Sequence, residues 1–140
     1  MSTLADRNNN PGNLRDSNGN FRVFSTPEEG MQAMIADLTG KVTGNTRTGL
    51  TPNSTLQDLI SVYAPAADHN DPVTYANTVA KSLGISTSTK LSDLQSRVPE
   101  LAQTMSKVEG YTGNNLGSVL NSANANTANL KNTIGNAIVS

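Results

Sequence analysis

Apolar residues recur along this chain at gaps of three and four, and the pattern runs far enough in several places to predict helices. Met31, Met34, Ile35 and Leu38 share one helical face. That segment opens at Ser25-Thr26-Pro27-Glu28-Glu29, with a hydroxyl cap, an early Pro and acids in the first turn, and is predicted to end near Gly40. Leu56, Leu59, Ile60 and Tyr63 form a second face, starting around Ser54 and stopping at Ala64 because Pro65 disfavours helix in the residue before it. Tyr75, Val79 and Leu83 mark a third helix, closed by Gly84. Val98, Leu101, Ala102, Met105 and Val108 mark a fourth, from about Val98 to Glu109, stopped by Gly110.

The connecting stretches read differently. Residues 7 to 20 are crowded with Asn, Gly, Pro and Asp, which supply positive φ angles and side-chain-to-backbone turns, so a structured loop is expected. Phe21, Val23 and Phe24 suggest one short strand or half of a β-hairpin. Residues 40 to 53 read as a loop, and Asp68-His69-Asn70-Asp71-Pro72 as a turn. From Thr112 onward the composition shifts to Asn, Ala, Ser and Thr, yet Leu116, Leu120, Ala123, Thr127, Leu130, Ile134 and Ala137 keep a heptad-like seam. The expected fold is mainly α, a helical domain over residues 5 to 111 with a short β-hairpin, followed by an amphipathic helical tail over 112 to 140. The tail either packs on its own domain or serves anchoring or homo-oligomerisation.

Composition narrows the chemistry. The formal net charge of −1 offers no basic field for a phosphate backbone, so no nucleic-acid partner is expected. No segment reaches the roughly 20 apolar residues of a membrane helix, and the polar run beginning at Met1-Ser2-Thr3 has no signal-peptide character. The absence of Cys excludes disulfides, thiol catalysis and Cys-based zinc sites. His69 sits between Asp68 and Asp71, but neighbours in a Pro-bounded turn rarely converge on one ion, so neither metal nor cofactor is expected.

Glu109 stands out. It follows Met105 by four residues and so continues the apolar face to the helix end, where desolvation and the negative end of the helix dipole both favour the protonated acid. A protonated carboxyl beside a cleft suits glycosidic cleavage, in which the leaving oxygen must receive a proton. A carboxyl frayed toward solvent fits the same spacing. Asp16, Glu28 and Glu29 read either as a second acid or as turn and helix-start residues; Glu100 is a fallback acid in a first turn that favours its charged form.

The run Arg7-Asn8-Asn9-Asn10-Pro11-Gly12-Asn13-Leu14-Arg15, then Phe21, Phe24, Gly30 and Ala33, resembles the opening of a family of small phage virion proteins related to lysozyme. Tyr63-Ala64-Pro65, Pro72, Tyr75, Val79 and Leu83-Gly84 follow in that family's order, and the likeness ends on the Glu109 helix, covering residues 7 to 111. Lytic transglycosylases carry similar pieces with the Glu helix first, so the chain looks like a circular permutation of the lysozyme-like fold. Relatives commonly carry one more residue between the Glu and the Gly; here Gly110 follows Glu109 directly.

The resemblance implies cleavage of the β-1,4 bond between N-acetylmuramic acid and N-acetylglucosamine in peptidoglycan, with Glu109 as acid and then base. It implies that Asn8, Asn9, Asn10 and Asn13 bind sugar hydroxyls and amides, although loop architecture alone also accounts for them. Tyr63 and Tyr75 would line the groove or steady Glu109. The implied setting is a phage particle that delivers the enzyme to the host envelope, with residues 112 to 140 holding other virion proteins. A non-catalytic virion scaffold is the alternative.

Overall fold

A computed structural model describes residues 3–68 and 70–113; the heptad seam from Leu116 to Ala137 and the turn residue His69 lie outside the described residues. Local signals decide where each helix begins. Helix α1 is a single turn, Leu4–Arg7, with Thr3 accepting from the Asp6 N–H. Helix α2, Pro27–Thr43, starts where Thr26 accepts from Glu29 N–H and Pro27 presets the first φ. Helix α3, Leu56–Tyr63, opens on a capping box between Thr55 and Asp58. Helix α4, Pro72–Leu83, is capped by Asp71, and helix α5, Val98–Val108, follows a 3₁₀ segment at Leu91–Arg97.

Two boundaries correct the sequence reading. Helix α2 runs past Gly40 to Thr43, because Val42 continues its buried face and Gly44 supplies the left-handed cap at φ 77°. The expected hairpin shrinks to one bridge between Arg15 and Phe21 around a tight Asp16–Asn20 turn. Its strands have no apolar face to bury: Val23 is 72% exposed. Neither α1 nor the 3₁₀ segment was foreseen, since each carries only one or two apolar anchors, Ala5 in the first and Leu91 and Leu94 in the second.

The described residues are mainly helical. Met31, Met34, Leu38, Leu56, Leu59, Ile60, Leu91, Leu94, Leu101 and Met105 are wholly buried and form one core. Helix α4 packs on α3 and α5, while α2 packs on α5 and the 3₁₀ segment. Burial of each large side chain stabilises by about 1.5–3 kcal/mol, against at most about 1 kcal/mol for an exposed pair such as Arg97–Glu100. The stripes, not the surface charges, hold the fold. No described helix is long and apolar enough to cross a membrane.

A clasp joins the beginning of this unit to its end. Thr3 Oγ1 donates to the Gly110 carbonyl at 2.7 Å, and the Asp6 carboxylate accepts from both the N–H and the hydroxyl of Thr112. Those bonds hold the Asp6 carboxyl below its ordinary pKa although partial burial opposes them.

The Asn-rich loop is built around Asn10, which is fully buried. Its amide donates to the carbonyls of Leu14 and Arg22, and its Oδ1 accepts from Leu14 N–H. The Leu14 carbonyl also accepts from Arg22 N–H, but Asn10→Ala deprives the Arg22 carbonyl and the Leu14 N–H of their partners and is expected to destabilise the domain by about 3 kcal/mol in chemical denaturation. An unchanged midpoint would show that the loop does not depend on this side chain.

Candidate active site

Helix α5 ends on its side chain of greatest interest. Glu109 is the C-cap, Gly110 takes φ 94°, and Tyr111 N–H reaches back to the Ser106 carbonyl while Gly110 N–H bonds to Lys107. This double closure is a Schellman motif. With Gly110 directly behind it, Glu109 stays on the inner side, half-buried and facing the loop.

The loop reaches α5 through Asn13. Its Nδ2 donates to both the main-chain carbonyl and the Oε1 of Glu109, each at 3.1 Å. Asn13 sits at φ 48°, a left-handed conformation that Asn tolerates better than most side chains. The main-chain contact fixes which end of the amide faces α5, because rotation would set two carbonyl oxygens against each other. Asn13 Oδ1 is buried with no partner.

Three close approaches seat the loop. Gly30 lies directly under the Asn9 carbonyl, Gly12 leaves no room for a Cβ beside Met34, and Tyr63 donates its hydroxyl to the Gly12 carbonyl at 2.6 Å. Tyr75 donates to the Met105 carbonyl at 3.3 Å and also neighbours the Glu109 carboxyl. Burial raises the pKa of both tyrosines, with the nearby Glu109 charge acting in the same direction.

Burial likewise raises the Glu109 pKa above its ordinary value. The Asn13 hydrogen bond, the neighbouring Tyr75 hydroxyl and the positive charge of Arg15 pull it back without cancelling the effect. The carboxyl opens onto a pocket of about 150 Å³ lined by Gly12, Asn13, Arg15, Phe21, Tyr63, Ala64, Asn70 and Glu109 itself. A second cavity of about 290 Å³ adjoins it, walled in part by the same Asn13, Arg15 and Tyr63, and the two together are termed the groove.

The sequence candidates therefore separate. Glu109, Asn13 and Tyr63 line the pocket, and Tyr75 supports the acid from behind. Asn10 is a correction: a side chain with no exposed surface and its amide bonded to backbone cannot hold a sugar. Asn9 is half-buried and absent from the pocket lining; its amide bonds to the carbonyls of Phe24 and Ser25 and tethers the loop to the entry of α2. Asn8 is half-buried at the end of α1, where its carbonyl accepts from Phe24 N–H, and it does not line the pocket.

The alternative acids have structural duties. Asp16 accepts from the N–H groups of Asn18 and Asn20, Glu28 and Glu29 occupy the first turn of α2, and Glu100 pairs with Arg97. The sequence reading missed Arg15, Asp37 and Lys41, which line the groove. Asp37 and Lys41 were visible as an i,i+4 pair, and in the fold Lys41 Nζ holds both Asp37 oxygens at 2.6 Å. Among the described residues no three His, Cys, Asp or Glu side chains converge as a metal site.

This arrangement can hold a proton on a partly desolvated carboxylic acid and present it to a polar, solvent-open groove. No protein-family model matches the chain and no curated protein matches it, so the functional reading rests on these residues and their resemblance.

Proposed function

We propose that the protein is a peptidoglycan-cleaving enzyme of lysozyme-like, circularly permuted fold, acting on the β-1,4 bond between N-acetylmuramic acid and N-acetylglucosamine. The observation that carries this reading is Glu109 itself: a half-buried acid with a raised pKa, hydrogen-bonded by Asn13 and open to a groove. Glu109 donates its proton to the leaving oxygen and afterwards removes one as base. Since Asn13 donates to Oε1, Oε2 is the oxygen that would carry the acid proton.

The groove favours a lytic transglycosylase over a hydrolase. Its other carboxylate, Asp37, has both oxygens held by Lys41 and is poorly placed to act as nucleophile or base. With a single working acid, the substrate's own N-acetyl group assists, and the muramyl hydroxyl closes an anhydro ring. Residues 112 to 140 would anchor the enzyme to other virion proteins, so that the particle brings it to the host envelope.

A non-catalytic virion scaffold is the second reading, favoured by a net charge of −1 that gives no attraction to an anionic wall. Mass analysis of products from purified peptidoglycan separates the cases. Anhydro-muramic ends are expected; reducing ends would establish a hydrolase, and no release by correctly folded protein would leave the scaffold.

A further inference from the structure

Arg15 is an unusual neighbour for a proton donor. A cation near a carboxyl favours the charged form, and Arg15 acts on Glu109 in that sense. Its guanidinium is nevertheless held firmly at the groove. It stacks 4.0 Å from the centre of the Phe21 ring, and Nη1 donates to the Gly19 carbonyl at 2.7 Å. The stack leaves the rest of the donor fork at the solvent side, on a residue that is exposed and lines both parts of the groove.

The nearby acids are otherwise engaged. Asp37 is held by Lys41, Asp16 closes its own turn, and Glu109 is bound by Asn13. Among the described residues, Arg15 makes no ion pair. Among the described residues, the charged and titratable groups around the groove are thus Arg15 on the loop, Asp37 and Lys41 on α2, Tyr63 on α3, Tyr75 on α4 and Glu109 on α5. Of the two described cations, Lys41 is spent on Asp37 and Arg15 has its charge available.

We propose that Arg15, held on Phe21, is the specificity-determining residue of the groove and binds a carboxylate carried by the glycan strand. The inference rests on the peptidoglycan reading above. It also resolves the conflict at Glu109: an anion on Arg15 neutralises the charge that opposes protonation, so the bound substrate strengthens the acid's hold on its proton until it is needed. Two carboxylates fit, the lactyl group of muramic acid freed of its peptide and the carboxylates of an intact peptide stem.

The test is calorimetric titration of the full chain carrying Glu109→Gln, which keeps strands uncut. Three probes are compared: a neutral β-1,4 N-acetylglucosamine hexamer, glycan strands stripped of peptide, and peptide-bearing strands. At least one carboxylate-bearing probe is expected to bind about tenfold more tightly than the neutral hexamer, in keeping with a charge-assisted, preorganised contact. The tighter of the two identifies the carboxylate. Adding Arg15→Gln should remove that advantage while lowering hexamer affinity far less, and Arg15→Lys should retain part of it. Equal binding of charged and neutral probes, or an equal loss for all three in Arg15→Gln, overturns the role of Arg15 and leaves the peptidoglycan reading standing. Failure of all three probes to bind removes that reading, and this inference with it.

Discussion

Glu109→Gln is expected to abolish muropeptide release, lowering turnover about 10²- to 10⁴-fold, the range that general acid catalysis supplies. Gln preserves shape and accepts the Asn13 hydrogen bond but has no proton to give. The parent should lose activity on the alkaline side as pH rises through the raised pKa of Glu109. A second signature reports the desolvation of this acid directly. The folded protein binds this proton more tightly than the unfolded chain, whose carboxyl titrates near 4.5. That preference stabilises the fold below this pH and is lost as pH rises through the folded-state value. Above the folded-state value the ionised carboxylate sits in a site that penalises it, so the Gln variant should melt above the parent there, the gap closing toward pH 4. A variant that retains activity sinks the assignment; one that is inactive and less stable at pH 7 points to structural damage instead.

Gly30→Ala should have the largest effect of any single methyl group. Alanine is the better helix former by about 1 kcal/mol, and Gly30 lies in the first turns of α2. The new Cβ, however, would lie 2.0 Å from the Asn9 carbonyl oxygen and 2.8 Å from Pro11 Cδ, well inside the roughly 3.5 Å at which carbon contacts become favourable. Backbone meets backbone there, so no rotamer relieves the clash. Overpacking of this kind costs about 1–3 kcal/mol, which outweighs the propensity gain, and the loop must lift. Because the same loop carries Asn13 to Glu109, a displacement of about 1 Å should also cost on the order of 100-fold in cleavage. Thermal denaturation and peptidoglycan turnover read the two effects separately. A variant as stable and active as the parent would show that α2 and the loop are not in close contact.

The two sites differ in how far the sequence announced them. Period alone placed the faces of α2 through α5, because Met31, Leu59, Val79 and Leu101 each belong to a repeat that only a buried helix face explains. The end of α2 was misread because Gly40 resembles a stop, whereas the stop is Gly44, where the chain needs a positive φ. Glu109 was legible from its place at the end of an apolar face. The Asn cluster was not resolvable by composition: Asn10 and Asn13 look alike in sequence, yet one amide turns into the loop and the other toward the acid. Arg15 and the Asp37–Lys41 pair went unnoticed as one site because the loop brings Arg15 beside that pair only when it folds over α2 and α3.

The contacts of Thr3 with Gly110 and of Asp6 with Thr112 make the domain nearly a ring. In a ring the order of the parts is fixed but the starting point is not. Joined across those contacts and opened in the exposed Ser86–Ser88 turn, the same circle would present the 3₁₀ segment and α5 first, then the Asn-rich loop and α2, and then the Tyr63 helix. The groove would be assembled from the same neighbours in either case. In such a circle the direction along the backbone would depend on where it opens, while the groove depends only on which arcs face one another across it.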